Sequence, residues 1–156
     1  MNKTIDIINN RTSLRKFSDQ KVSEAHKKVI ISSALRAPTA GNLMLYSILK
    51  VENKETLKTL SSTCDEQPFI ASADFALIFL ADYQRLYDYF SFNNYFSYCQ
   101  EQGVVPEFPS LSDLLLCSED AICAAQNSVI AAESLDIGSC YIGDIIENYE
   151  IHKELF

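Results

Sequence analysis

Three short stretches of the chain carry residue types that could do chemistry. The first is Arg11-Thr12-Ser13-Leu14-Arg15. In extended backbone, side chains alternate, so Arg11, Ser13 and Arg15 fall on one side. Two guanidinium forks with hydroxyls between them suit a phosphate, through bidentate charge-assisted bonds and neutral donors. Two surface arginines around a turn would show the same letters. The second is Ala37-Pro38-Thr39-Ala40-Gly41-Asn42. Gly41 permits an unusual backbone angle, and Asn42 offers both a donor and an acceptor to the edge of a heterocycle. An ordinary helix-to-strand connection would also fit. The third is Gly138-Ser139-Cys140-Tyr141-Ile142-Gly143. Two glycines bracket it, so its backbone could approach a ligand closely, or simply turn twice. Gln67, just before Pro68, says nothing by itself.

Other chemistries find no anchor. There is no GxGxxG, no Walker loop and no GxSxG, so nucleotide-dehydrogenase, P-loop and α/β-hydrolase readings lack support. His26 and His152 are the only histidines, and both are expected at exposed helical positions among charges. That disfavours a metal site or a His-based dyad, so no metal ligand and no catalytic side chain is assigned. Cys140 reads better as a small buried strand residue than as a nucleophile. The Tyr/Phe cluster from Tyr83 to Tyr98 could stack a ring, but aromatic stripes of this kind usually form core.

Charge supports an anion site. The net charge is −8, yet residues 1–58 sum to +6 and residues 59–156 to −14. The acidic whole argues against nucleic-acid binding, while the basic first third suits a local anion, or a solvated basic helix face. At 156 residues and 47% hydrophobic, the chain suits one domain that buries roughly 70% of its unfolded surface. The five cysteines are an odd number without a CxxC pair, which fits a reducing cytoplasm better than a disulfide framework. The start MNKTIDIINN has no signal-peptide core, and the longest apolar run, Phe75 to Ala81, is far short of the ~20 residues a membrane span needs.

The elements that must position these stretches follow from periodicity. Helices are expected ending at Asn10, over Glu24 to Leu35 with Ser23 as cap, over Lys54 to Ser61, over Tyr83 to Gln100 and over Ser112 to Leu135. Pro38 stops the second, and Ile137-Gly138 ends the last by a glycine cap. Ala121, Ala124, Ala125, Ala131 and Ala132 make that long helix a close-packing centre or a subunit interface. Strands are expected over Tyr46 to Glu52, over Phe75 to Asp82 (an apolar run that reads as buried on both faces) and over Ser139 to Ile142. One or two amphipathic turns follow from Asp144 to Phe156.

Taken in order, RTSLRKF, APTAGN, CDEQPFIASADFALIFLADYQR and AAQNSVIAAESLDIGSCYIGDI resemble the nitroreductase superfamily of flavin enzymes, across nearly the whole chain. The resemblance implies an α+β fold. A central mixed or antiparallel sheet would be flanked by helices, with the long helix at a homodimer interface that binds FMN. By resemblance, Arg11, Thr12, Ser13 and Arg15 match residues holding the FMN phosphate, ribityl chain and pyrimidine edge. Pro38, Thr39 and Asn42 match the loop under the isoalloxazine ring. Gln67 matches a glutamine at the ring's polar edge, and Tyr141, Ile142 and Gly143 match the stretch on its other side. The implied activity is hydride transfer from NAD(P)H through the flavin to a nitroaromatic, a quinone or a similar small acceptor. Two departures stand out. Where the family often reads Asn-x-Gln-Pro-Trp, this chain has Asn42-Leu43-Met44-Leu45-Tyr46, so a ring contact is expected from backbone. Family members also continue past the position of Phe156 with a strand, a basic residue and a tail. Residues 1–156 are therefore expected to be one domain lacking that end. Its alternative role is a non-catalytic flavin-binding or dimerisation module, or a degenerate fragment.

Overall fold

A computed structural model describes residues 2–107 and 109–156. Its elements run α1 (Lys3–Asn10), α2 (Glu24–Ala34), β1 (Tyr46–Val51), α3 (Lys54–Thr63), α4 (Pro68–Ser72), β2 (Ala76–Ala81), α5 (Gln84–Phe92), α6 (Tyr95–Glu101), α7 (Leu111–Glu133) and α8 (Tyr149–Leu155). This is an α+β arrangement in which helices surround one small sheet. β1 and β2 pair antiparallel, with Tyr46 opposite Ala81 and Val51 opposite Ala76.

Local chemistry sets the helix starts. Asn2, Ser23 and Asn53 accept the backbone N–H of Thr4, His26 and Thr56, which satisfies one orphan donor at each N-terminus. α2 lies on α7, and α7 backs both strands. The small side chains of α7 permit that closeness. Ala121 and Ala124 join Ala34 of α2 and Tyr46 of β1 in one buried cluster. Leu60, Cys64 and Ile70 form a second cluster, covered by Phe69, Ile142, Ile145 and Leu155.

One charged group in this packing needs its partners. Lys27 on α2 is only 7% exposed. Its ammonium lies 2.6 Å from Glu52, 3.1 Å from Glu24 and 3.2 Å from Asp74. Hydrogen bonding to Glu52 outweighs burial and raises the ammonium above its ordinary value. Burial pushes the Asp74 carboxyl up, but Lys21, Lys27 and the Val22 N–H outweigh it and hold it down at about 2. This cluster ties α2 to the turn before β2.

The expected elements are largely in place, with instructive differences. The run Phe75 to Asp82 is a strand, but it is not buried on both faces: Leu80 and Ala81 are exposed, and the other β2 residues are half-buried. A strand's faces are covered by layers packed on the sheet, and among the described residues α7 is the main element packed on β2. The segment Tyr83 to Gln100 is two helices, because Asn94 turns left-handed (φ 59°) between them. Its aromatics are not core. Rings of Tyr87, Phe90, Tyr95 and Phe96 touch one another, while Tyr89, Tyr98 and Phe92 are exposed. Ser139 to Ile142 is not a strand but a single parallel bridge, Ser13 with Ser139. The segment from Asp144 holds a 3-10 turn (Asp144–Ile146) and then α8.

Candidate functional site

Two of the three stretches meet. The Leu14 N–H donates to the Ser139 carbonyl at 2.9 Å, so the backbone of residues 11–15 runs beside that of residues 138–143. The glycine cap expected at Gly138 is absent. Asp136 takes the left-handed turn after α7 (φ 57°), and the Ile137 N–H closes back on Ala132. Gly138 has a different purpose: a Cβ there would lie 2.1 Å from Leu14 Cδ1 and 3.1 Å from Leu14 Cγ. Its bare backbone lets the Arg11–Arg15 segment approach. Leu14 is 45% exposed and its Cδ1 is the free end of the side chain, so Gly138→Ala is expected to cost only about 0.5–1.5 kcal/mol as Leu14 turns aside, read by chemical denaturation. Leu14→Ala in the same chain should recover part of that loss.

On this segment Arg11 is half-buried, whereas Thr12, Ser13 and Arg15 are exposed. Neither guanidinium has a carboxylate partner among the described residues, although Lys21, Lys27 and Lys50 are all ion-paired. Tyr141 stands close to Arg11. Burial raises its phenol above the ordinary value, and the Arg11 charge opposes that rise. The Tyr141 hydroxyl donates to Gln126 Oε1 of α7 at 3.4 Å. Two unpaired guanidiniums beside free hydroxyls form a donor set that fits a phosphate ester. Arg11 and Arg15 are thus a candidate anion site in the basic first third of the chain.

The segment after Ser139 then reaches Gln67. Gln67 Nε2 donates to the Cys64 carbonyl at 2.9 Å and to Asp144 Oδ2 at 2.7 Å. Its own backbone is locked to Ser61, whose hydroxyl donates to the Gln67 carbonyl and whose carbonyl accepts the Gln67 N–H. Thus Arg11–Arg15, Tyr141–Gly143 and Gln67 are joined in one continuous arrangement.

Pro38, Thr39 and Asn42 sit on a loop with a separate anchor, and no hydrogen bond joins it to Arg11–Arg15 among the described residues. Gly41, Asn42 and Met44 all have positive φ (55°, 57° and 53°), so the expected backbone freedom is used three times. Asp120, in the middle of α7 and 4% exposed, holds the loop shut. Its two carboxylate oxygens accept the N–H of Ala40 at 3.0 Å and of Leu45 at 3.2 Å. The Thr39 hydroxyl accepts the Met44 N–H at 3.3 Å, and the Met44 carbonyl accepts from Arg85. Gln126 lies on the same helix about 9 Å further along, so α7 carries both anchors.

Two residues that anchor the candidate site escaped the sequence reading: Asp120 and Asp144. Asp120 left a signal, a carboxylate among the alanines of an apolar helix. Asp144 left none. One histidine also differs from expectation. His26 is exposed, but His152 is buried: its Nδ1 lies 2.6 Å from the Ile145 carbonyl and its Nε2 2.8 Å from Thr63 Oγ1. It ties α8 to α3. Its neighbour Cys64 is buried too, and burial together with Asp144 and Glu147 pushes that thiol up, away from the reactive thiolate. Cys140 is half-buried and lies outside any strand.

Comparison with known proteins places this geometry. The model of the family described as Nitroreductase family matches residues 8–155. An FMN reductase (NADPH) of Bacillus subtilis is 33% identical over 93% of this chain and 55% of its own length. An oxygen-insensitive NADPH nitroreductase of Salmonella typhimurium is 29% identical over 99% of this chain and 59% of its own. Among solved structures, NfrA2 of B. megaterium superposes with a TM-score of 0.88 at 31% identity, covering 99% of this chain and 60% of that one. The Vibrio harveyi NADPH:FMN oxidoreductase complexed with NAD+ gives 0.82 at 28% identity, covering 99% and 61%. The chain thus spans between one half and two thirds of the length of these relatives. With the family match running almost end to end and the fold shared throughout, the chain belongs to the Nitroreductase family.

Proposed function

We propose that the chain is the FMN-binding portion of an NAD(P)H-dependent flavin oxidoreductase. It would reduce small acceptors such as nitroaromatics or quinones and work as a homodimer in a reducing cytoplasm. The observation that carries this reading is the pair of unpaired guanidiniums, Arg11 and Arg15, on a segment bonded to Ser139 and leading through Tyr141–Gly143 to Gln67. Relatives with this fold are named as FMN reductases and NADPH-flavin oxidoreductases.

Arg11, Thr12, Ser13 and Arg15 would hold the phosphate, ribityl chain and pyrimidine edge. Pro38, Thr39 and Asn42 would lie under the ring, Gln67 at its polar edge, and Tyr141, Ile142 and Gly143 against its other side. Bound there, FMN supplies two-electron chemistry: hydride in from the nicotinamide, electrons out to the acceptor. The side chains need only orient, exclude water and offset charge. Arg15 at the pyrimidine edge would stabilise the negative charge that reduction brings there. This is why the chain needs no triad or dyad. The homodimer is supported by α7, whose N-terminal half leaves Leu111, Leu114, Leu115 and Ile122 at 72%, 56%, 57% and 63% exposed while Cys117, Ala121 and Ala124 are buried. All five cysteines are free thiols, in keeping with a reducing compartment. No helix among the described residues is long and apolar enough to cross a membrane.

The test is a titration of the purified chain with FMN, followed by anaerobic addition of NADPH or NADH. Quenched flavin fluorescence and a bleached visible band are the expected result. Binding without bleaching would identify a non-catalytic flavin module instead, and absence of binding would overturn the proposal.

A further inference from the structure

Gln67 and Asp144 are 77 residues apart in sequence, yet their side chains meet at 2.7 Å. The arrangement fixes which way the Gln67 amide faces. Its two partners, the Cys64 carbonyl and the Asp144 carboxylate, can only accept. The atom between them must therefore be the NH2, whose two hydrogens are both used. Oε1 has no hydrogen-bond partner among the described residues. One of the two bonds is charge-assisted, and a polarised amide makes its own oxygen a stronger acceptor.

We infer that Asp144 is a positioning residue that locks the Gln67 carboxamide with its oxygen outward, so that this end of the site selects a ligand presenting an imide or amide N–H. A freely rotating glutamine would offer donor or acceptor alike and discriminate little. Asp144 removes that choice. It can do so because Gly143 and the 3-10 turn Asp144–Ile146 bring it against the start of α4. The inference rests on the flavin reading above, since the pyrimidine edge of FMN carries such an N–H.

The experiment measures FMN dissociation constants by fluorescence quenching, and the thermal unfolding of each FMN-free variant. Asp144→Ala is expected to weaken FMN about tenfold, the loss of one oriented hydrogen bond. Asp144→Asn still offers an acceptor oxygen to Nε2 and should bind FMN within about threefold of the parent. Gln67→Ala should lose as much as Asp144→Ala, and the double variant no more than either, because the two act as one unit. On the ligand side, N3-methyl-FMN removes the N–H. The parent chain should discriminate against it, while Asp144→Ala should bind FMN and N3-methyl-FMN alike. Losses that add in the double variant, or an Asp144→Ala chain that keeps full FMN affinity and discrimination, would overturn the inference and leave the flavin reading standing. A parent chain that binds no FMN would overturn both. A purely structural role would lower the unfolding temperature of Asp144→Ala without changing its preference between the two flavins.

Discussion

Asp120→Ala is expected to destabilise the chain by about 2–4 kcal/mol. The carboxylate accepts two backbone N–H groups, from Ala40 and Leu45, which lie 80 and 75 residues away in sequence. Leu45 is buried, so water cannot replace the lost acceptor. A buried donor left unsatisfied costs about 1–3 kcal/mol; the Leu45 N–H bears that in full, and the half-buried Ala40 N–H, which water can reach, only in part. The loop between them holds Asn42 and Met44 at positive φ, a conformation that costs a non-glycine residue about 1–2 kcal/mol and persists only while the surroundings enforce it. Without Asp120 the loop keeps the bonds of Met44 to Thr39 and Arg85 but loses its tie to α7. Hydrogen exchange at the Ala40 and Leu45 amides should therefore accelerate far more than exchange in β2, whose ladder with β1 does not involve Asp120. Asp120→Asn keeps the shape but sets an NH2 against one of the two N–H groups, so it should lose most of the same stability. A denaturation midpoint within about 1 kcal/mol of the parent, with unchanged exchange in the loop, would show that α7 does not hold this loop.

How much of this was legible in the sequence depends on the range of the interaction. Helix starts were readable because caps are local: Ser23 sits three residues from the N–H it accepts. The long helix was readable from its alanines, and β1 and β2 from their apolar runs. What failed was set by distant partners. The apolar letters of β2 do not say how many layers pack on its two faces. Gly138 looked like a helix cap because glycine commonly ends helices, and only the approach of Leu14 reveals its steric purpose. His152 looked exposed among its charged neighbours, yet the carbonyl of Ile145 and the hydroxyl of Thr63 draw it inward. The Arg11–Arg15 segment and the glycine-bracketed segment were each ambiguous alone. Their pairing, across more than a hundred residues, is what brings two weak patterns together as one candidate site.

Removing both guanidiniums should have the second large effect. Arg11→Ala and Arg15→Ala are each expected to weaken FMN binding about 10- to 100-fold, as charge-assisted hydrogen bonds of about 1.5–3 kcal/mol are lost. The double variant should bind hundreds-fold more weakly or worse. The chain carries a net charge of −8, and Lys21, Lys27 and Lys50 are committed to Asp74, Glu52 and Glu24; Lys3, Lys16, Lys28, Arg36 and Lys58 have no ion pair among the described residues, but none of them belongs to a pair of guanidiniums on one segment. Arg→Lys at either position keeps the charge but loses the planar fork, so it should recover only part of the affinity. Raising the ionic strength should weaken the parent more than the double variant, because exposed charge pairs are screened over about 10 Å at 0.1 M salt. Riboflavin, which has the ring but no phosphate, separates the two ends of the site: its affinity should fall less than that of FMN when Arg11 is removed. Stability is a control, since neither guanidinium has a hydrogen-bonded or ion-paired partner among the described residues and both variants should unfold within about 1 kcal/mol of the parent. If FMN affinity survives the double substitution, then the unpaired cations beside Ser139 are solvated surface charges, and the anion of the cofactor must be held elsewhere.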